Sequence, residues 1–270
     1  MSFFSPWILG DTRSSGEKIG VVSIEGIITG SEKTIRQLKK YEKDDSVKGI
    51  ILRIESPGGG VGASQEIYSE VLRIKKKKKI FVSLGGLAAS GGYYIACGAD
   101  KIFANSGTIT GSLGVIMAFS NIEGFLKKVG LKTVVVKSGR YKDIGQPSRA
   151  MSESEKKILQ TVSDDIHVQF KKAVSLGRDL PFADVEKFAD GRIFSGRMAK
   201  EIGLVDELGG REAAIQSLAR SVGIQGVPQV IESKGKKNFL LKLLTSRFSS
   251  FFQTENVVFT SGAQFLFQGI

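Results

Sequence analysis

Histidine and cysteine are nearly missing from this chain of 270 residues, which has one of each, His167 and Cys97. A single cysteine excludes an internal disulfide framework and a cysteine-ligated zinc site. The compartment stays open between a reducing interior and an envelope location that needs no covalent staples. A single histidine, placed on a long helical pattern, reads as a side-chain passenger, because catalytic groups favour loops and strand ends. A Ser-His-Asp triad and a zinc hydrolase are therefore both disfavoured. No uninterrupted apolar run reaches the roughly 18 residues that a membrane-spanning helix needs. Residues 1–10 (MSFFSPWILG) are apolar but lack the basic stretch and cleavage pattern of a signal peptide. They read as the stub of a removed anchor, the alternatives being a soluble protein or one held at a membrane by its apolar C-terminal tail.

The chain is rich in glycine and in positive charge, with 33 glycines and 39 basic against 27 acidic residues, a formal net charge of +12. Such an excess suits nucleic acid, an anionic membrane surface, or an enzyme that takes chains near lipid headgroups. Charge alone does not choose among them. The densest run, Lys75 to Lys79, follows a helical pattern, where lysines complement the helix dipole and read as a solvated helix end.

Apolar, β-branched runs at Val21–Ile24, Gly49–Ile54, Ile80–Leu84 and Lys132–Val136 alternate with helical periods at Thr34–Lys43 and Gln65–Lys76. That alternation predicts an α/β fold whose strands are covered on both faces. Each strand ends in a glycine-rich corner: Glu25-Gly26, Ser56 to Gly60, Gly85-Gly86 and Ser138-Gly139. The clearest helix spans Ser152 to Leu176. Ser152 and Glu155 form a capping box, Ile158, Val162, Ile166, Phe170 and Val174 form one stripe, and Gly177 is the predicted stop. Shorter helices are expected near Phe182–Ala189, Ser195–Ile202 and Arg211–Val222. We divide the chain into a tail (1–17), a main domain (18–225) and a C-terminal extension (226–270). Lysines and apolar residues over 234–270 suggest an amphipathic segment for a membrane surface or a partner.

Glycine corners can cradle phosphate. Gly58-x-Gly60-x-x-Ala63 fits the loose dinucleotide fingerprint, but no acidic residue closes the next strand, and no P-loop string occurs, which argues against nucleotide binding. There remains a serine suited to nucleophilic attack. Ser90, in Ala88-Ala89-Ser90-Gly91-Gly92, follows the strand Ile80–Leu84 and opens a short helix able to aim N–H groups at an oxyanion. Close helix packing explains the same small residues equally well. With histidine set aside, its base would be a Lys, Asp or Glu. A lysine amine ordinarily titrates near pH 10.4, so a lysine base needs burial to shed its proton. Lys142 follows the strand ending at Val136; nearby, Arg140 would favour the neutral amine and Asp143 the charged one.

Five strings in order resemble one family. They are Glu55-Ser56-Pro57-Gly58-Gly59-Gly60, Ala88 to Tyr94, Thr110-Gly111-Ser112-Leu113-Gly114-Val115, Ser138-Gly139 with Lys142-Asp143-Ile144, and Asp190-Gly191-Arg192 with Leu204-Val205-Asp206. Over residues 18–215 the chain is similar to the signal peptide peptidase A family, Ser/Lys-dyad serine endopeptidases of the crotonase/ClpP-like fold, a spiral of β-β-α units. The resemblance implies that Ser90 is the nucleophile, Lys142 the general base, and Ser112 an auxiliary hydroxyl orienting the amine. It assigns the oxyanion-hole N–H groups to Gly59 and Gly91, and requires no cofactor or metal. It further implies peptide substrates such as signal-peptide remnants and unfolded chains, and no nucleic acid. The expected assembly is a homo-oligomeric ring, an octamer for instance, with the dyad formed either within one protomer or between neighbouring protomers. The expected location is the bacterial cell envelope, membrane-associated with the catalytic domain outside the cytoplasm. A relative that cleaves stomatin-like proteins and a catalytically silent peptide-binding relative are the alternatives, and an acyl-CoA crotonase would not need Ser90 with Lys142.

Overall fold

The computed structural model describes residues 16–232 and 264–266. In chain order the elements are β1 (Lys18–Glu25), α1 (Glu32–Lys43), β2 (Val47–Ser56), β3 (Gly58–Gly60), α2 (Val61–Lys75), β4 (Lys79–Ala89), α3 (Gly91–Ala96), β5 (Lys101–Ala104), β6 (Ile109–Gly111) and α4 (Glu123–Lys128). They continue as α5 (Glu153–Arg178), α6 (Phe182–Phe188), β7 (Ile193–Ser195), α7 (Gly196–Glu201), β8 (Glu207–Leu208), α8 (Arg211–Ser221), β9 (Gln229–Glu232) and β10 (Gln264–Leu266). This is the expected α/β architecture, a mainly parallel sheet sandwiched by helices. The predicted helix ends shift by a few residues, α2 beginning at Val61.

The sheet runs β7-β6-β4-β2-β1-β9, with β5 set against β4 and β8 against β5. Its pairs are parallel except β6 with β7. Side chains alternate between two apolar layers. Ile19, Val21, Ile51 and Phe81 face Ile215 and Leu218 of α8, while Val22, Ile50, Leu52, Ile80 and Val82 face a larger core with Leu38, Ile67, Val71 and Phe170. Burial on both faces explains why these strands read as continuous apolar runs.

Three glycines act otherwise than as strand or helix ends. Gly85 and Gly86 lie inside β4, not at a corner. Between the pairs Ile54↔Leu84 and Ser56↔Ala88, β2 has one residue and β4 has three. The Glu55 carboxylate fills this bulge, accepting the N–H of Gly86 at 2.9 Å and of Leu87 at 2.9 Å. A Cβ on Gly85 would stand 1.7 Å from a Glu55 oxygen. The bulge re-aims the strand. Before it β4 pairs with β5, and after it with β6, so Ala88 and Ala89 are carried to a different neighbour.

The capping box of Ser152 and Glu155 forms as expected. Gly177, however, does not end α5, which continues to Arg178 and is capped by Asp179 in the left-handed conformation. Gly177 instead allows close packing, since a Cβ there would stand 2.1 Å from the Cys97 carbonyl oxygen. The apolar stripe of α5 is also only half buried: Phe170 and Val174 are buried, whereas Ile158 and Val162 are exposed.

The run Lys132–Val136 forms no strand. Among the described residues no strand pairs with it, and Val134 and Val136 are 86% and 96% exposed. Phe125, Val129 and Leu131 are exposed beside it. The tail 1–15 and most of the amphipathic segment 234–270 lie outside the described residues.

Candidate active site

Ser90 sits at the turn from β4 into α3 with φ 52° and ψ −117°, a conformation that L-residues rarely adopt. Such strain costs on the order of 1–3 kcal/mol and persists where the surroundings enforce it. Here they do. The Ser90 N–H donates to the Gly111 carbonyl at 2.8 Å, and the Ser90 carbonyl accepts from the Tyr94 N–H at 2.8 Å. A sharp strand-to-helix turn of this kind presents a serine oxygen at the start of a helix. The Ser90 side-chain oxygen is buried and has no hydrogen-bond partner among the described residues. Bare, buried polar atoms are uncommon and call for a functional explanation.

Behind Ser90, α3 is buried along its whole length. The Tyr93 hydroxyl donates to the Leu204 carbonyl at 2.7 Å, and burial pushes the Cys97 thiol up to about 12, which leaves it inert.

In front of Ser90 lies the glycine strand β3. Gly60 donates to the Ile28 carbonyl and Ile28 donates to the Gly58 carbonyl, both at 2.8 Å, so the backbone groups of Gly59 face the other edge. Gly58 has φ 103°, and a Cβ there would stand 2.7 Å from the Gly91 nitrogen. A Cβ on Gly91 would stand 3.2 Å from the Gly59 nitrogen. Gly58, Gly59 and Gly91 therefore converge on one small space, where a side chain would block a carbonyl.

That space holds a strand that sequence reading missed. β10 pairs antiparallel with β3, Phe265 opposite Gly59. On its other edge, Gln264 exchanges both backbone hydrogen bonds with Ile116, at 3.0 and 3.1 Å. The Phe265 ring is fully buried, with centroids 5.1 Å from Tyr94 and 4.7 Å from Phe170. Its carbonyl oxygen would stand 2.0 Å from a Cβ on Gly58 and 3.2 Å from one on Gly91. The only signal in the sequence was the apolar Phe265-Leu266-Phe267 near the C-terminus, too short to assign a partner.

Ser112 is tied to the same frame. It adjoins Gly111, which accepts from Ser90, and its own N–H donates to the Arg192 carbonyl at 2.8 Å. Like Ser90 it has φ 52°. His167 is no base for Ser90; its ring nitrogen Nε2 sits 3.1 Å from the Leu113 carbonyl, bracing the segment after Ser112. Lys142 lies apart from Ser90, exposed on a turn closed by its N–H to the Gly139 carbonyl at 3.2 Å. The structure thus brings together Ser90, Ser112, Gly59 and Gly91, and within one chain it leaves Lys142 out of hydrogen-bond reach of the Ser90 oxygen. Among the described residues no cluster of side chains could hold a metal ion.

The chain is similar to proteins named as proteases. The family model described as Peptidase family S49 matches residues 73–225, and the Clp protease model matches residues 21–109. A Synechocystis protein named as a protease is 44% identical over 212 residues, 78% of this chain and 76% of that protein. A Methanocaldococcus jannaschii protein, also named as a protease, is 41% identical over 198 residues, 73% of this chain and 63% of its own length. An Enterococcus faecium protein named as signal peptide peptidase SppA is 39% identical over 221 residues, 77% of this chain and 64% of its own length. The chain thus spans under two thirds of the last two. The S49 match runs from the end of α2 through α8, across Ser90, Ser112 and Lys142, and on these grounds the chain belongs to peptidase family S49, serine peptidases, on a ClpP-like fold.

Proposed function

We propose that this protein is an endopeptidase for extended, unfolded peptides, including signal-peptide remnants and other membrane-released chains, working through a dyad of Ser90 and Lys142. The observation that carries the reading is β10, a strand gripped along both edges by Gly58–Gly60 and Ile116 beside a bare serine oxygen. A segment gripped on both edges must first be free of its own strand neighbours, as it is in an unfolded chain, and backbone pairing on both sides accepts many sequences.

In the proposed reaction the neutral Lys142 amine takes the Ser90 proton as the serine oxygen bonds to the substrate carbonyl carbon. The N–H groups of Gly59 and Gly91 hold the resulting oxyanion, and Ser112 orients the lysine amine. The ammonium returns the proton to the departing amine nitrogen and the C–N bond breaks, leaving an acyl-serine. Water, losing a proton to Lys142, attacks the ester; the acid is released and Ser90 regains its proton. No cofactor enters any step.

Lys142 stands exposed while the Ser90 side-chain oxygen lacks a hydrogen-bond partner among the described residues, which supports a dyad completed between protomers of a ring. The exposed Phe125, Leu131, Val134 and Val136, on the same stretch of chain as Lys142, support a covered interface there. An envelope location is supported by the kinship with a protein named as signal peptide peptidase SppA. Among the described residues no helix is long and apolar enough to cross a membrane.

The substrate class is tested by incubating the protein with one test protein in native and in reduced, unfolded form. The unfolded form is cut and the native form survives, and peptide mass mapping shows cuts inside the chain. Equal turnover of both forms would contradict this reading.

A further inference from the structure

Lys142 and Asp143 are neighbours in the chain, and a carboxylate beside an amine favours the charged ammonium, the wrong form for a base. Asp143 is engaged elsewhere. One of its oxygens takes an ion pair from Lys137, whose ammonium also donates to the Arg140 carbonyl at 3.0 Å. The other oxygen accepts from Arg149 Nε at 3.0 Å, and the Asp143 carbonyl accepts from Arg149 Nη2 at 3.2 Å.

The same guanidinium reaches α5. Arg149 Nη1 and Nη2 donate to the two Glu155 oxygens at 2.9 and 2.5 Å. Glu155 is buried and serves the capping box, accepting the Ser152 N–H at 2.8 Å. Arg149 therefore knots the Lys142 turn to the capped start of α5. Two cations, Lys137 and Arg149, balance two carboxylates, Asp143 and Glu155. Nearby, Lys156 pairs with Glu153 at 2.6 Å, and Arg140 stacks on the Tyr141 ring with 5.2 Å to the centroid. Lys142 makes no ion pair among the described residues, although its neighbour is a carboxylate.

We propose that Arg149 is a positioning residue for the base: it withholds Asp143 from the Lys142 amine and fixes the turn, so that the amine reaches Ser90 without a carboxylate partner. This rests on Lys142 being the base. The set is fixed across the working pH range. Hydrogen bonds from Arg149 and Lys137 hold Asp143 well below the usual carboxylate range, and Arg149, then the Ser152 N–H, lowers Glu155 to about 2. Both carboxylates stay ionised above that range, and the knot loosens only as pH falls through these lowered values.

The test is the pH profile of peptide hydrolysis by the assembled protein. In Arg149→Gln the freed Asp143 pairs with Lys142. The acidic limb then moves up by about one pH unit, so the rate near neutrality falls roughly tenfold and recovers in base. Adding Asp143→Asn to that variant returns the limb to its wild-type position, and Arg149→Lys, which keeps one charge without the fork, lies between. If Arg149→Gln does not fold, Lys137→Met makes a milder cut at the same carboxylate, with a smaller upward shift that Asp143→Asn again cancels. Rates lowered by one factor at every pH, or a limb that Asp143→Asn does not restore, overturn the proposal. The base reading is tested separately: Lys142→Ala is inactive at every pH if it holds, and wild-type activity in that variant ends it whatever Arg149 does.

Discussion

Lys142→Ala and Ser90→Ala each lower kcat by about four orders of magnitude or more, and mixing the two inactive variants restores hydrolysis. The size of each loss follows from the dyad acting as one unit: a hydroxyl without its base, or a base without its nucleophile, leaves only binding and oxyanion stabilisation. The double variant is for the same reason no slower than either single one. Recovery on mixing follows from the placement of the two residues. Among the described residues the Ser90 side-chain oxygen is buried and unpartnered, while Lys142 is exposed on the same stretch of chain as the exposed Val134 and Val136. In a mixed ring a Ser90→Ala chain still offers its Lys142 to the intact Ser90 of a Lys142→Ala neighbour. Peptide turnover is followed after unfolding and reassembling the two variants together in varied ratios. A mixture that stays inactive at every ratio places both residues in a single chain.

Phe265→Ala raises kcat/KM for short unstructured peptides by about tenfold or more, mainly through a lower KM. In the proposed function β10 occupies the cleft that a substrate strand needs, and its anchor is the Phe265 ring against Tyr94 and Phe170. Burying such a ring contributes about 1.5–3 kcal/mol. A resident held by that much lowers the fraction of open sites roughly ten- to a hundredfold, and apparent affinity falls in proportion. The ring also belongs to the core, so melting is measured alongside: a lower Tm with a raised kcat/KM separates cleft opening from simple damage. A peptide with the sequence of residues 260–270, added to the variant, competes with substrate. An unchanged KM together with no inhibition by that peptide contradicts a blocking role.

What could be read in the sequence was local. β1, β2 and the first half of β4 announced themselves because burial on two faces leaves no polar alternation, and α5 because Ser152 and Glu155 spell out a capping box. The turn at Ser90 followed from small residues between a strand and a helix. What was hidden depended on a distant partner. Gly85 and Gly86 looked like a corner because nothing local shows the Glu55 carboxylate that fills their bulge. Gly177 looked like a helix stop because its constraint is the carbonyl of Cys97, far back in the chain. The run Lys132–Val136 carries a strand-like sequence but has no strand to pair with among the described residues. β10 joins Gln264 to Ile116 and Gly60, contacts that no window of sequence contains. The fate of Asp143, taken by Lys137 and Arg149, is equally a matter of three dimensions.

The central claim is that Lys142 activates Ser90, and the direct measurement is covalent labelling by a serine-directed acylating probe, located by peptide mass spectrometry on the assembled protein. The dyad predicts one adduct, on Ser90, formed faster as pH rises and absent from Lys142→Ala. An adduct on another serine, or equal labelling of Ser90 in Lys142→Ala, would contradict it.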